Sequence, residues 1–466
     1  MIKLGLPIFL LALCLFGKIG DTLSGGVLAS CQRNVVSIFH DPRTQWVVFL
    51  CIGIYFIVFT LLKRCDVPKT FWNIDSWLAG VIFIGTLDYF TNYATASQSI
   101  QALILLAGTA LAMGISVWIS WTPQPGKRDY TVQWILISLI VMLALASHGH
   151  SEVARPFQYR SDVRWSGFWD NPNMFGLLMG TGVLLTFGLL IHNLILKGQG
   201  EKARIEVKTW KFKARKYAGV ILSLLVVVLM GRGLLHSYSR GAWIATLFGI
   251  VYLGWQVAAR SSKFEIQGFP SCLCFSSLKK SALKKNCLPV GIILFSAILL
   301  LFWQFQQVNS HLGQRAFSAV NTNDFSWRNR IASWEGALQI MANHFWLGTG
   351  WNQTELLYEH YYLPPKLNEG AAIEMNDYLM LGTMLGIPAL FCFGTYLWLS
   401  LCQKSDVRPR VRGFLSATCR AGAIVLLIGF WFDGGLFKLP TASIFWILVG
   451  LGAVQLHKER QINETP

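Results

Sequence analysis

Apolar runs of roughly 17 to 25 residues, separated by short polar stretches, recur along this chain, and each can cross a hydrocarbon core as a helix. They centre near Leu11, Ile54, Ile82, Leu106, Ile140, Val183, Val226, Phe248, Leu294, Leu390, Ile428 and Ile447. The pattern predicts an all-α polytopic membrane protein with about twelve transmembrane helices. Residues 1–466 read as a single membrane domain. Residues 306–376 break the rhythm, because they form the longest stretch that is not a span. Loops of that length are functional or disordered, and the aromatics here, Trp327, Trp334, Phe345, Trp346 and Trp351 among them, are too many for a disordered linker. Within it, "RIASWEGALQIMANHFWLG" places Ile331, Trp334, Leu338 and Met341 at three-to-four residue spacing and stops at Gly348 and Gly350. That spacing predicts an amphipathic helix lying at the outer membrane interface.

Composition sharpens the class. The chain is 53% hydrophobic and only 14% charged, with 19 tryptophans, which is too apolar for a soluble domain. Its formal charge of +17 raises the question of nucleic acid, but in a polytopic protein the placement of the cations matters more than their sum. Counting loops alternately from an inner N-terminus puts 26 lysines and arginines inside and 13 outside, with Arg420 at a boundary. The bias predicts that both termini are cytoplasmic and accounts for the charge without nucleic acid. The basic inner loops at 197–216 and 259–287 read as orientation signals resting on anionic membrane lipid. The first apolar run follows Lys3 but ends in Phe16-Gly17-Lys18 with no small-x-small cleavage site, so it reads as a span.

Of ten cysteines only Cys31 falls in an outer loop, so no outer disulfide pair is expected. Cys272 and Cys274 lack a second pair, and His148 and His150 lack a third ligand, so no metal site is expected either. Gly176 and Gly180, like Gly382 and Gly386, have the spacing of close helix packing. Asn171-Pro172-Asn173 reads as a helix entry, and Asp433, beside Gly434 and Gly435, as a cap.

The candidate chemistry gathers at the outer side. Arg240 stands in "HSYSRGAWIA" at the lip of a span, where an unpaired guanidinium buried in lipid costs roughly 3 kcal/mol or more. It therefore reaches water, a partner or an anionic ligand, with the serines before it as helix caps. Arg328 and Arg330 precede the interfacial helix in "DFSWRNRIASW". Arginines on separate outer elements suit a phosphate-bearing ligand, since a guanidinium donates two parallel hydrogen bonds to phosphate oxygens. Glu374, Asn376 and Asp377 open the tenth span, where capping and a general base are both open readings.

"SYSRGAW", "RIASWEGALQIMANHFWLGTGWN" and "MNDYLMLGTMLGIPAL", in that order around a long outer loop, resemble the O-antigen ligase and O-antigen polymerase superfamily. "SGFWDNPNMFG" is similar to a stretch found upstream in those proteins, and the likeness covers about residues 160–395. The resemblance implies a bacterial inner membrane protein whose 306–376 loop is periplasmic. It implies transfer of a glycan from an undecaprenyl diphosphate carrier to the hydroxyl of an acceptor glycolipid or glycan, by inversion, with no metal or other cofactor. Carried over by position, Arg240 and Arg330 converge on the diphosphate, with Arg328, Asn376 and Trp334 beside the substrate. Where the family has a histidine before the asparagine, this chain has Met375, which cannot accept a proton; Glu374, Asp377 or His360 is left as the substitute base. The long loop holding both an arginine and a helix favours ligase over polymerase. Two other classes share these features: a transporter of a small anion such as bicarbonate, and a catalytically silent member that binds the lipid-linked glycan.

Overall fold

The computed structural model describes residues 69–91, 100–120, 125–147, 157–159, 162–167, 169, 171–200, 210–265, 325–364, 376–402 and 412–464. Helices dominate: α1 (Lys69–Thr91), α2 (Ile100–Ser120), α3 (Pro125–Ala146), α4 (Pro172–Gly200), α5 (Trp210–His236), α6 (Arg240–Glu265), α7 (Phe325–Asn343), the short α8 (Thr354–Leu357), α9 (Asp377–Cys402), α10 (Arg412–Phe432) and α11 (Leu439–Glu464). A π-helical turn, Tyr358–Tyr362, follows α8. An antiparallel pair of three-residue strands, β1 (Phe157–Tyr159) and β2 (Asp162–Arg164), interrupts the helices, a detail the apolar periodicity could not signal. Among the described residues four helices, Pro172–His192, Gly219–His236, Asp377–Leu401 and Phe414–Phe432, are long and apolar enough to cross a membrane. The apolar runs near Leu11, Ile54 and Leu294 lie outside the described residues.

The chain divides into two compact units, residues 1–123, 321–404 and 427–466 in one, and 124–320 with 405–426 in the other. In the second, α4 packs against α3, α5 and α6. The glycine spacing in α4 does what it predicts: a Cβ on Gly176 would meet Ser237 and Ala242, and one on Gly180 would overlap Thr246. Asn171 caps α4 through its Oδ1, which accepts from the amides of Asn173 at 2.9 Å and Met174 at 3.4 Å.

In the first unit, α2 packs on α11 and α1 on α9. Helix α9 is broken at Gly386 (φ 83°, ψ 169°), two residues before Pro388. Proline has no N–H to return to the carbonyl four residues back, so Met384 is left with a free acceptor. The segment after α7 takes up the loose ends. Thr349 N–H donates to Thr383 O at 2.8 Å, Gly350 N–H to Met384 O at 3.0 Å, and Ile387 N–H to Phe345 O at 2.9 Å. Gly382 and Gly386 thus do not act as one packing pair. Gly382 meets Met341, whereas Gly386 sits against the Trp346 carbonyl. The same segment is pinned to α1 by Trp351, which is fully buried, donating from Nε1 to Gly85 O (3.0 Å) and from its backbone N–H to Asp88 Oδ2 (3.1 Å).

Helix α7 differs from its expected register. It starts at Phe325 and ends at Asn343, and it buries Asn329, Ser333, Ala337, Ile340 and Met341, with Gly336 among them. Ile331 and Leu338 face outward. Small residues decide this: Gly336 lets Tyr358 approach so closely that a Cβ there would overlap its ring. The larger apolar side chains are left to an apolar environment.

Candidate functional site

Arg240 opens α6, and the turn before it is built for one conformation. Ser237 N–H and Tyr238 N–H donate back to Gly233 O (2.9 Å) and Leu235 O (3.1 Å), and Tyr238 adopts φ 49°. Ser239 Oγ then accepts from Ala242 N–H at 3.2 Å, so this serine caps α6 as the sequence implies. The "RW" of residues 164–165 clasps this turn from above the helix ends. Arg164, 5% exposed, donates from Nε to Ser237 O at 2.9 Å and from Nη2 to Asn173 Oδ1 at 2.6 Å. Trp165 donates its N–H to His236 O at 2.9 Å and stacks on the His236 ring at 4.3 Å, while the Arg232 guanidinium lies 5.2 Å from the Trp165 ring centre. The N-P-N entry and the S-R-G turn are therefore one hydrogen-bonded assembly, joined by an arginine that sequence reading had counted only as a loop cation.

Because Arg164 fixes the carbonyl three residues before Arg240, Arg164→Ala removes the donor that reaches the buried Ser237 O, at about 1–3 kcal/mol. We expect a lower thermal midpoint in detergent, and Arg164→Lys to restore little, since one ammonium cannot replace the forked donor set. Thermal melting of the purified protein would check this; an unchanged midpoint would mean that the clasp does not hold the turn.

Arg330, in the other unit, is held differently. Its Nη2 lies 2.8 Å from Asp433 Oδ1, both side chains being largely buried. Asp433 is thus a counter-ion to Arg330. Its turn is anchored to the start of α9, where Asp377 Oδ2 accepts from Leu436 N–H at 2.7 Å. Asn376 Oδ1 accepts from the amides of Tyr378 (3.1 Å) and Leu379 (3.2 Å) and caps α9. Two donors remain buried with no partner among the described residues, Arg330 Nε and Asn376 Nδ2. Trp327, Arg330 and Trp334 share one face of α7 by their i, i+3, i+7 spacing, and Trp334 packs edge-on to Trp327 (6.2 Å) and Trp431 (5.9 Å). Trp431 in turn meets Tyr378 at 5.8 Å, whose hydroxyl donates to Leu427 O at 2.7 Å.

Residues 225–394, from the end of α5 through the first two-thirds of α9, match the family model described as O-antigen ligase. Over that stretch the chain is similar to the O-antigen ligase family. No curated protein matches it. The match and the apolar helices indicate a membrane protein and support O-antigen ligase-like glycan transfer in general terms.

The expected site residues distribute over both units. Arg240 lies in one; Arg330, Trp334, Asn376 and Asp377 gather in the other, around the 433–436 turn. Arg328 is exposed on α7. His360 sits exposed on the π turn, its Nδ1 2.9 Å from Leu356 O. A carbonyl only accepts, so Nδ1 is the donor in this contact. Glu374 and Met375, like His148, His150, Cys272 and Cys274, lie outside the described residues. Trp431, the pairing of Asp433 with Arg330 and the clasp made by Arg164 escaped the sequence reading, and only the i, i+3, i+7 pattern of Trp327, Arg330 and Trp334 offered a local signal.

Proposed function

We propose that this protein transfers a glycan from an undecaprenyl diphosphate carrier to an acceptor hydroxyl at the periplasmic face of a bacterial inner membrane. The resemblance assigns Arg240 and Arg330 to the diphosphate. The observation that carries the reading is Arg330, a largely buried guanidinium held by Asp433 at 2.8 Å. Donors held in place before the charge develops stabilise a leaving diphosphate without having to reorganise. The acceptor oxygen attacks the anomeric carbon as the bond from that carbon to the phosphate oxygen breaks. The electron pair goes to the diphosphate, and the acceptor proton passes to a base, with inversion. Asp377 Oδ2 is already engaged by Leu436 N–H. His360 Nε2 and Glu374 are the remaining acceptors for that proton.

The transport reading has one observation in its favour, the broken helix α9. The carbonyls and amide released there are bonded to the 345–350 backbone rather than left to coordinate an ion.

The test is reconstitution of the full chain with an oligosaccharide on undecaprenyl diphosphate and a glycolipid acceptor. We expect wild type to consume the carrier, Arg240→Ala to lose most of that activity, and either His360→Ala or Glu374→Gln to lower turnover 10²–10⁴-fold. Met375→His, which returns the family residue, should raise turnover. Equal consumption by wild type and the arginine variant would defeat the diphosphate assignment.

A further inference from the structure

Tryptophans are common at membrane interfaces, where their rings rest at headgroup depth. Those around Arg330 differ in what lies with them. Trp327 and Trp334 flank Arg330 on one face of α7, and Trp431, 42% exposed, closes on Trp334 from α10. The same cluster holds the Arg330–Asp433 ion pair, and Tyr378, which touches Trp431, follows Asn376 by two residues. Asn376 is 1% exposed and its Nδ2 has no partner among the described residues; the same is true of Arg330 Nε.

An acyl chain would use the indoles but leave those donors unsatisfied, which is costly for buried polar groups. A phosphate would use the donors and has no need of an aromatic wall. A pyranose answers both, having one apolar face of C–H groups to lie on an indole and a rim of hydroxyl and ring oxygens to accept hydrogen bonds. We propose that Trp327, Trp334 and Trp431 form a stacking wall for a sugar ring, with Arg330 Nε and Asn376 Nδ2 as donors to its oxygens. This deepens the glycan-transfer reading and rests on it for the source of the sugar, which is either the carrier-linked glycan or the acceptor.

The experiment measures binding to the full chain in nanodiscs of three ligands: undecaprenyl diphosphate bearing a short oligosaccharide, the bare undecaprenyl diphosphate, and the acceptor glycolipid. Trp431→Ala should weaken one of the two sugar-bearing ligands about tenfold and leave the bare carrier unchanged, and Trp431→Phe, which keeps an aromatic face, should stay within about threefold of wild type. A loss confined to the carrier-linked glycan assigns the wall to the donor, and one confined to the acceptor assigns it there. Equal weakening of the bare carrier would make the wall a lipid contact, and no weakening of either sugar ligand would remove it; both overturn the proposal. Sugar-dependent binding through Trp431 in a wild-type protein that transfers nothing would keep the wall while sinking the transfer reading. A wild type that binds no sugar-bearing ligand would sink both.

Discussion

Arg330→Ala is expected to slow single-turnover glycan release by about 10²–10³-fold, the range seen when a preorganised donor to a developing anion is removed. The effect should fall on turnover more than on donor affinity, because the charge on the diphosphate grows only as its bond to sugar breaks. Asp433→Asn keeps the shape and removes the counter-charge. With its 2.8 Å partner neutralised, Arg330 should lose its fixed orientation and the rate should drop about tenfold. Arg330→Lys should not rescue, since a lysine ammonium cannot hold Asp433 and a phosphate oxygen with the same planar fork. Rapid-quench measurement in proteoliposomes reads all three. A rate for Arg330→Ala within a factor of three of wild type would remove this arginine from the chemistry.

The second large effect is structural. At Gly386 the backbone lies at φ 83°, ψ 169°, a conformation essentially restricted to glycine, and an added Cβ would overlap the Trp346 carbonyl. Gly348, at φ 68°, would push the same way against the Met384 backbone. Gly386→Ala should therefore destabilise the protein by about 3–5 kcal/mol, the upper range for single substitutions. We expect a lower thermal midpoint in detergent and a loss of monodisperse protein. Gly348→Ala should follow it in direction. If Gly386→Ala melts with wild type, the pairing of the 345–350 segment with α9 does not hold this region together.

Some of this was legible in the chain and some was not, for physical reasons. Capping is local: Asn171, Ser239 and Asn376 each accept from amides two or three residues on, so a short window of sequence contains both partners. Glycine spacing in α4 is also local and foretold its close approach to α5 and α6. The break in α9 had a visible cause in Pro388, yet the spacing of Gly382 and Gly386 matched a packing motif and masked it. Arg330 and Asp433 stand 103 residues apart, and a chain read in windows gives no sign of such a pair. Which face of α7 meets protein was not legible, since Ile331 and Leu338 face outward while Asn329, Ser333 and Ala337 are buried. In a protein surrounded by lipid, large side chains can face outward while glycine, alanine and serine make the protein contact.

The splice between α7 and α9 sets a mechanical limit. Three backbone hydrogen bonds and the buried Trp351 fasten the segment leaving α7 to α9 and α1, so the helix bearing Arg330 cannot swing as a free lid over the helix that begins at Asn376. Any opening of this half of the molecule must therefore come from other elements.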